Sequence, residues 1–262
     1  MERKIKAFER LLIIMDELRE KCPWDKKQTM DSLRHLTIEE LYELSDAILE
    51  KDMGEIKKEL GDLLLHIVFY SRIASETNDF NIEDVINSVC DKLIHRHPHI
   101  YSDVKVKDEL DVKKNWEKLK MKEGNKSVLE GVPGSLPALI KASRIQEKVR
   151  GIGFDWDNKT QVWDKVLEEI DELKFEIENG NQDRIEAEFG DVLFSLSNYS
   201  RFINVNPEDA LERTNRRFIK RFQMMEEIIE KEGLSISEMK LSEMDVYWDK
   251  AKEIYLSLRE AR

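Results

Sequence analysis

The sequence predicts an all-α protein, and three observations lead to that prediction. Charged residues make up 37% of the 262 residues, and hydrophobic residues make up 40%. The chain has only 10 Gly and 5 Pro, the residues that interrupt helices most strongly. Apolar residues also recur at helical spacing along most of the chain. Together these features favour long helices that bury one face and expose a charged one.

Apolar periodicity places five helices in each half of the chain. Those of the first half are predicted at 3–20, 29–51, 54–76, 82–97 and 109–122. Those of the second half are predicted at 137–149, 160–179, 181–203, 207–232 and 241–260. Between the halves lies EGNKSVLEGVPGSLPAL (123–139), which has the densest cluster of Gly and Pro and predicts a linker. We therefore expect two domains, 1–125 and 126–262.

The two halves repeat each other. The segment EELYELSDAILEKDMGEIKKELGDLLL (39–65) aligns with EEIDELKFEIENGNQDRIEAEFGDVLF (168–194) at an offset of 129, without a gap. Further along, NIEDVINSVCDKLIHR (81–96) aligns with NPEDALERTNRRFIKR (206–221) at an offset of 125. The matches keep the same order, and the offset changes only where loops can absorb the difference. This pattern predicts a duplicated unit of four or five helices.

Net charge and hydropathy argue against two classes of partner. The formal net charge is −12, so the surface as a whole is a poor match for nucleic acid or an anionic membrane. The longest apolar stretch, LLLHIVFY, is too short to cross a bilayer, and the charged N-terminus is not a signal peptide. Cys22 and Cys90 lie far apart and indicate no disulfide framework, which fits a cytoplasmic location.

Acidic residues occupy equivalent positions in both copies. Each copy has the pattern E-E-x-x-E on one predicted helix and E-x-x-D on the next. The first row of acids borders an apolar stripe, and the second helix is apolar nearly all round, so the acids are expected at the edge of the core. The ten candidates are Glu39, Glu40, Glu43, Glu59, Asp62, Glu168, Glu169, Glu172, Glu188 and Asp191.

Carboxylates at the edge of a core either take up protons or meet cations, because burying an unpaired charge costs several kcal/mol. Oxygen ligands without cysteine suit Mg²⁺, or Mn²⁺, and Mg²⁺ leaves positions open for phosphate oxygens. The alternative is an ordinary solvated surface, but equal spacing in both copies favours a metal site. A glycine between the paired acids, Gly61 or Gly190, predicts a close approach by another backbone or a ligand.

Basic and aromatic residues also recur in both copies. Two cations four residues apart share a helix face and can hold phosphates. In WEKLK and WDKAK the tryptophan can stack on a base while the lysine reaches phosphate, although a core tryptophan beside a solvated lysine fits equally well. The candidate substrate-binding residues are Lys92, Arg96, Trp116, Lys120, Asn215, Arg217, Arg221, Trp248 and Lys252.

Several motifs, taken in order, resemble the MazG family of nucleoside triphosphate pyrophosphohydrolases: CPWDKKQTMDSL, EELYEL, ELGDLLL, KLIHRHPHIY, GVPGSLPAL and GFDW. The resemblance implies two tandem MazG-like domains that form four-helix-bundle-type cores through dimerisation. It implies Mg²⁺-dependent hydrolysis of NTPs and dNTPs, with loose base specificity, to nucleoside monophosphate and pyrophosphate. It also implies a role in clearing aberrant nucleotides or adjusting nucleotide pools, with the ten acids as metal ligands.

Within this resemblance, Glu40 and Glu169 are the candidates for the general base that takes a proton from the attacking water. Both copies keep every acid, so the sequence allows two catalytic sites. Asn215 and the two arginines favour the second copy as the more active one. One copy supplies few helices to enclose a nucleotide, and we therefore expect a homodimer. The rivals are a non-catalytic helical scaffold that binds nucleotides or a partner protein, and an enzyme of one substrate such as dUTP or phosphoribosyl-ATP.

Overall fold

The computed structural model describes residues 1–106, 108, 111–112, 115–116 and 127–260. Over these residues the regular structure is helical, with ten α-helices, two short 3₁₀ helices and no strand, as the composition predicts. The predicted helix at 109–122 lies largely outside the described residues. None of the described helices has the length and apolar character that crossing a bilayer requires.

The chain divides into two compact units, Met1–Leu119 and Lys120–Arg262. The predicted domain boundary between 125 and 126 lies at the edge of residues that the structure does not describe, and it stays a prediction. The helices of the first unit are α1 (Glu2–Lys21), α2 (Met30–Glu50), α3 (Met53–Ser75), α4 (Ile82–Arg96) and α5 (Pro98–Tyr101). Helices α2 and α3 form a hairpin, and α1 and α4 both pack on α3. The core contains Met15, Leu33, Val68 and Phe69.

The second unit repeats the hairpin. Its helices are α6 (Ala138–Gly151), α7 (Lys159–Asn179), α8 (Gln182–Phe202), α9 (Pro207–Lys231) and α10 (Leu241–Glu260). Helices α7 and α8 form the hairpin that corresponds to α2 and α3, and α6 packs on α8. Helix α9 pairs with α10 and also touches α6. Met225, Ile229 and Ala251 form a buried cluster between α9 and α10.

Capping residues fix the ends of both hairpins at equivalent positions. Thr29 caps α2 and Asn158 caps α7, each by accepting hydrogen bonds from backbone N–H groups of the first turn. Each hairpin then turns through one residue in the left-handed conformation, Lys51 with φ 59° and Gly180 with φ 72°. These two residues are also 129 positions apart, so the repeat extends to the conformation of the turn.

Candidate active site

Carboxylates from α2 and α3 converge in the first unit. One carboxylate oxygen from each of Glu40, Glu43 and Glu59 lies within 4.8 Å of the others. Glu59 is 1% exposed, and its Oε2 is buried with no hydrogen-bond partner among the described residues. A buried acceptor without a donor costs free energy, and a divalent cation would satisfy it. The residues present therefore fit a hard cation bound through oxygen.

Burial and the neighbouring acids together raise the pKa of Glu40 above its usual value. Burial is the largest cause, followed by the charge of Asp62, a hydrogen bond shared with Glu59 and the charge of Glu43. Asp62 is half-buried and lies three residues after Glu59 on α3, so it faces the same cluster. The site thus disfavours the charged form of Glu40 until positive charge is supplied.

The second unit holds an equivalent cluster. Oxygens of Glu169 and Glu172 on α7 and of Glu188 on α8 lie within 4.8 Å of one another. Desolvation and the charge of Glu169 raise the pKa of Glu172, and nearby Lys165 offsets this only in part. Asp191 follows Glu188 by three residues and lines an adjacent cavity. The duplicated pattern of the sequence therefore produces two similar arrangements of acids.

Four of the predicted ligands, Glu39, Asp62, Glu168 and Asp191, are not among the acids whose oxygens converge. Glu39 and Glu168 are both exposed, and neither carboxylate is among the three that converge in its unit. Each precedes a clustered residue by one position on the helix, and this turns its side chain away from the next helix. Their role as metal ligands stays a prediction.

Each cluster has a lysine counter-ion, supplied from a different place. In the first unit Lys58 on α3 lies 2.8 Å from Glu59. In the second unit Lys165 on α7 lies 2.8 Å from Glu169 and 2.9 Å from Glu168. Hydrogen bonds to these carboxylates raise the pKa of both lysines. Both ammonium groups are therefore held charged beside the acids.

Sequence reasoning missed Lys165. The repeat offset places it opposite Leu36, so the alignment of the two copies hides it. The signal that could have found it is a lysine one turn before the paired acids of α7, the spacing at which a lysine and a glutamate meet on a helix.

A cavity of about 560 Å³ opens beside the second cluster. Its walls come from α6, α7, α8 and the turn at 153–156. The lining is mostly apolar, with Val149, Val162 and Phe194, but it also includes Lys165 and Glu169. A ligand in this cavity would therefore touch both an apolar wall and the acidic cluster.

Arg201 of α8 holds the turn at 153–156, which forms one wall of the cavity, in place. Its Nη1 donates to Asp155 Oδ2 at 2.8 Å, and its Nη2 donates to the second oxygen of the same carboxylate and to Asn198 Oδ1. Burial raises the pKa of Asp155, but the hydrogen bonds and charge of Arg201 outweigh burial and hold it below the usual value. The two aromatic neighbours, Phe154 and Trp156, are thereby held at the cavity wall.

In the first unit the predicted substrate-binding residues lie on or near α4. Lys92 is exposed. The Trp116 ring packs edge-on against His97 with centroids 4.9 Å apart, and Arg96 Cζ lies 5.8 Å from the same ring centroid. Lys120 lies outside the described residues. The contacts described for these side chains are not with the clustered acids, and their binding roles stay predictions.

In the second unit Trp248 is a core tryptophan, one of the two roles that the sequence left open. It lies 5.1 Å from Phe218 between ring centroids and packs against the buried cluster of α9 and α10, while Lys252 pairs with Asp249 at 2.9 Å. The other predicted residues lie along α9. Asn215 is exposed, Arg217 donates to Thr214 Oγ1 at 3.1 Å, and Arg221 Cζ lies 5.0 Å from the ring centroid of Tyr255. Binding of phosphate by these residues stays a prediction.

Comparisons with known proteins locate both hairpins in one family. A family model described as the MazG nucleotide pyrophosphohydrolase domain matches residues 28–101 and 158–225. The chain is 46% identical, over 94% of its length and 95% of the relative, to a nucleoside triphosphate pyrophosphohydrolase/pyrophosphatase MazG of Thermotoga maritima. It is 38% identical to a nucleoside triphosphate pyrophosphohydrolase of Escherichia coli, over 96% and 99% of the two chains.

A solved structure gives a further, partial likeness. The crystal structure of a MazG-related protein from Thermotoga maritima aligns with 43% of this chain and 98% of its own, at 27% identity and a TM-score of 0.39. The family model, by contrast, matches twice, and each match contains one acidic hairpin. The chain therefore belongs to the MazG nucleotide pyrophosphohydrolase family, with one match to the family's domain in each of its units.

Proposed function

We propose that this protein hydrolyses nucleoside triphosphates, both NTPs and dNTPs with several bases, to nucleoside monophosphates and pyrophosphate. The observation that carries the proposal is the convergence of three acids in each hairpin, with a buried oxygen of Glu59 left for a cation. The names of the relatives support the same reaction. Such an activity suits the cytoplasm, where it would clear aberrant nucleotides or adjust nucleotide pools.

Mg²⁺, when bound, would orient the triphosphate, neutralise its charge and lower the pKa of an attacking water. Glu40, Glu43 and Glu59 would hold it in the first unit, and Mn²⁺ suits the same oxygen ligands. Glu40 is the candidate for the general base in this unit, through a carboxylate oxygen that the metal does not use. In the second unit Glu169 is the corresponding candidate.

Lys165 would bind the substrate's phosphates in the second unit. Its ammonium already lies against Glu168 and Glu169 and lines the cavity. When a metal ion binds the carboxylate of Glu169, the Lys165 ammonium can leave Glu169 and bind a phosphate oxygen, which is again a negatively charged partner. The second unit is accordingly our choice for the main site of turnover.

A homodimer would complete the two hairpins. On α8, Phe189, Leu193 and Leu196 are 55%, 44% and 40% exposed, and they form a stripe along one face. The same stripe recurs on α3 at equivalent positions. An added Cβ at the neighbouring Gly190 would meet nothing within 4 Å, so no close approach within the described chain accounts for that glycine. A second copy packed on these faces would build the four-helix cores expected from the resemblance.

The proposal is tested by measuring pyrophosphate release from the four NTPs and four dNTPs, with Mg²⁺, with Mn²⁺ and with EDTA. We expect release from several bases that requires the metal. Glu188→Gln should lower turnover by about 100-fold or more, because it removes a ligand oxygen's charge. Glu178→Gln, an exposed acid on the same hairpin, is the matched control and should keep full activity.

The rival readings give different results in the same assay. Release from a single nucleotide would indicate an enzyme of narrow specificity. The absence of release from every nucleotide, with nucleotide binding retained, would indicate a non-catalytic scaffold. Full activity of Glu188→Gln in a chain that also carries Glu59→Gln would overturn the assignment of both acidic clusters.

A further inference from the structure

We infer that the cavity between α6, α7 and α8 holds the nucleobase of the substrate, and that Gln146 recognises the base through its side-chain carbonyl oxygen. The inference rests on the proposed function, because it places the base beside the acids that would bind the triphosphate. It adds a recognition residue on α6, a helix that lies outside both ranges matched by the family model.

The size and lining of the cavity suit a flat heterocycle. Its volume of about 560 Å³ lies in the range of small-molecule sites, and its walls are mainly apolar. Two aromatic side chains, Phe154 and Trp156, stand at the wall and are 77% and 46% exposed. Exposed aromatic faces of this kind stack on nucleobases with little preference among them.

Gln146 is a buried amide with one unmet hydrogen-bonding group. Its side chain lines the cavity, the residue is 5% exposed, and its Nε2 donates to the Phe194 carbonyl oxygen at 2.9 Å. A carbonyl only accepts hydrogen bonds, so this contact fixes which end of the amide faces α8. The Oε1 atom is buried and has no partner among the described residues. It is therefore available to accept a hydrogen bond from an N–H or O–H group of a ligand.

Asn198 supplies the complementary group. Its Oδ1 accepts a hydrogen bond from Arg201 Nη2 at 2.8 Å, which orients the amide and leaves Nδ2 as a donor. Asn198 lines the same cavity as Gln146. One acceptor and one donor would thus meet the ligand from two helices.

At three of the equivalent positions the first unit carries bulky apolar side chains. Asn198 corresponds to Phe69, which is 3% exposed, and Val162 corresponds to Leu33, which is 1% exposed. Phe69 and Leu33 belong to one packed core cluster, with Leu36, the counterpart of Lys165, against it. The duplicated fold therefore uses the same place for core packing in one copy and for a cavity with a few polar groups in a mainly apolar wall in the other.

This pairing of groups predicts a definite pattern of base selection. Every natural base carries an N–H donor and an acceptor on its edge, so purines and pyrimidines are both accepted. Purine riboside triphosphate lacks the exocyclic amino group of ATP, so it offers Gln146 Oε1 no hydrogen-bond donor. We expect wild-type protein to prefer ATP over this analogue by about 10-fold in kcat/KM, since a site built around a hydrogen bond rejects a substrate without it.

The test compares the two nucleotides in pyrophosphate release. Gln146→Leu should lower kcat/KM for ATP by about 10-fold, mainly through KM, and bring the ratio of the two substrates close to one. Gln182→Leu, an exposed glutamine on the neighbouring hairpin, is the matched control and should keep the wild-type ratio. Thermal melting verifies that both variants fold.

A second variant tests the cavity independently of Gln146. Asn198→Phe introduces the residue that the first unit carries and should raise KM for ATP by about 10-fold or more by occupying the cavity. Inorganic triphosphate, which has no base, should inhibit this variant competitively with the same inhibition constant as wild-type protein. Equal losses for ATP and inorganic triphosphate would show that the substitution disturbs the phosphate site and would count against the cavity.

Three results would overturn the inference while leaving the proposed function intact. The first is wild-type protein that does not distinguish ATP from the analogue. The second is an unchanged ratio in Gln146→Leu. The third is loss of the ratio in Trp248→Leu instead, which would place the base on α10. The absence of metal-dependent release from every nucleotide, by contrast, would refute the proposed function itself.

Discussion

Glu40 shares a small volume with Glu43, Glu59 and Asp62, and this proximity has an energetic consequence. Since the pKa of Glu40 is higher in the folded chain than in the unfolded one, the folded state binds more protons between the two values. Stability therefore falls as the pH rises through that window, and it stays lower above it. Relief of this penalty by a cation would couple folding to metal binding.

We predict that Glu40→Gln is more stable than wild-type protein at pH 7 in EDTA, by roughly 0.2–0.5 kcal/mol for each acidic neighbour. The difference should vanish below the ordinary glutamate pKa of about 4.3, where the wild-type carboxyl is neutral as well. Urea unfolding of both proteins from pH 4 to 8 measures it. Glu39→Gln, at an exposed neighbour, should show a smaller difference, and an equally large one would argue against crowding as the cause.

The hairpin turns show the repeat at the scale of an element. Lys51 and Gly180 occupy the same position and the same left-handed conformation. A side chain there places Cβ against the backbone, which glycine avoids. The second copy thus has the less strained turn. In the first copy Lys51 adopts the strained conformation, and the sequence alone indicates only that this position is polar.

Exchange of the two turn residues should change stability in opposite directions. We expect Lys51→Gly to stabilise the first unit by roughly 0.5–1 kcal/mol, and Gly180→Lys to destabilise the second by about 1 kcal/mol. Chemical denaturation followed by circular dichroism gives both values. Destabilisation by Lys51→Gly would show that the lysine side chain, rather than the backbone conformation, determines the energy at this turn.

Sequence periodicity predicted the long helices well, because caps and apolar stripes are local signals. The helix predicted at 207–232 is Pro207–Lys231, and that at 241–260 is Leu241–Glu260. The short helix Pro98–Tyr101 was not predicted, since one turn is too short to show a period. The convergence of the acids also follows from local spacing, because E-E-x-x-E and E-x-x-D each put their acids on one helix face.

The cavity could not be predicted in the same way. It depends on contacts between residues far apart in the chain, such as Arg201 with Asp155, 46 positions away. It also depends on side-chain size, since the second copy has Asn198 where the first has Phe69. The alignment alone does not show that the smaller residue lies beside a cavity. The third wall comes from α6, which lies outside the segments that the repeat aligns.

Each unit carries an apolar stripe that stays exposed among the residues that the structure describes. Leu60, Leu64 and Ile67 on α3 are 52%, 39% and 47% exposed, and they match the stripe on α8 position by position. Exposed apolar rows of this kind on a helical hairpin are typical of a surface that a second copy covers.

We predict a dimer in sedimentation velocity, and conversion to monomer by Phe189→Lys combined with Leu193→Lys. Lysine in place of these residues puts unpaired charge into an apolar interface, so association should weaken by about 100-fold or more. Lys174→Glu, an exposed change on α7, is the control and should leave the dimer unaffected. A wild-type protein of single-chain mass at all concentrations would contradict the dimer.

The lysines that accompany the two acidic clusters have a consequence for how the chain comes to be folded. Each ammonium group partly neutralises its carboxylates from within the same unit, Lys58 in one and Lys165 in the other. A newly synthesised chain can therefore close its hairpins before a metal ion is bound. Under the proposed function, loss of the metal would stop catalysis while the protein stays folded, and return of the metal would restore activity without new synthesis.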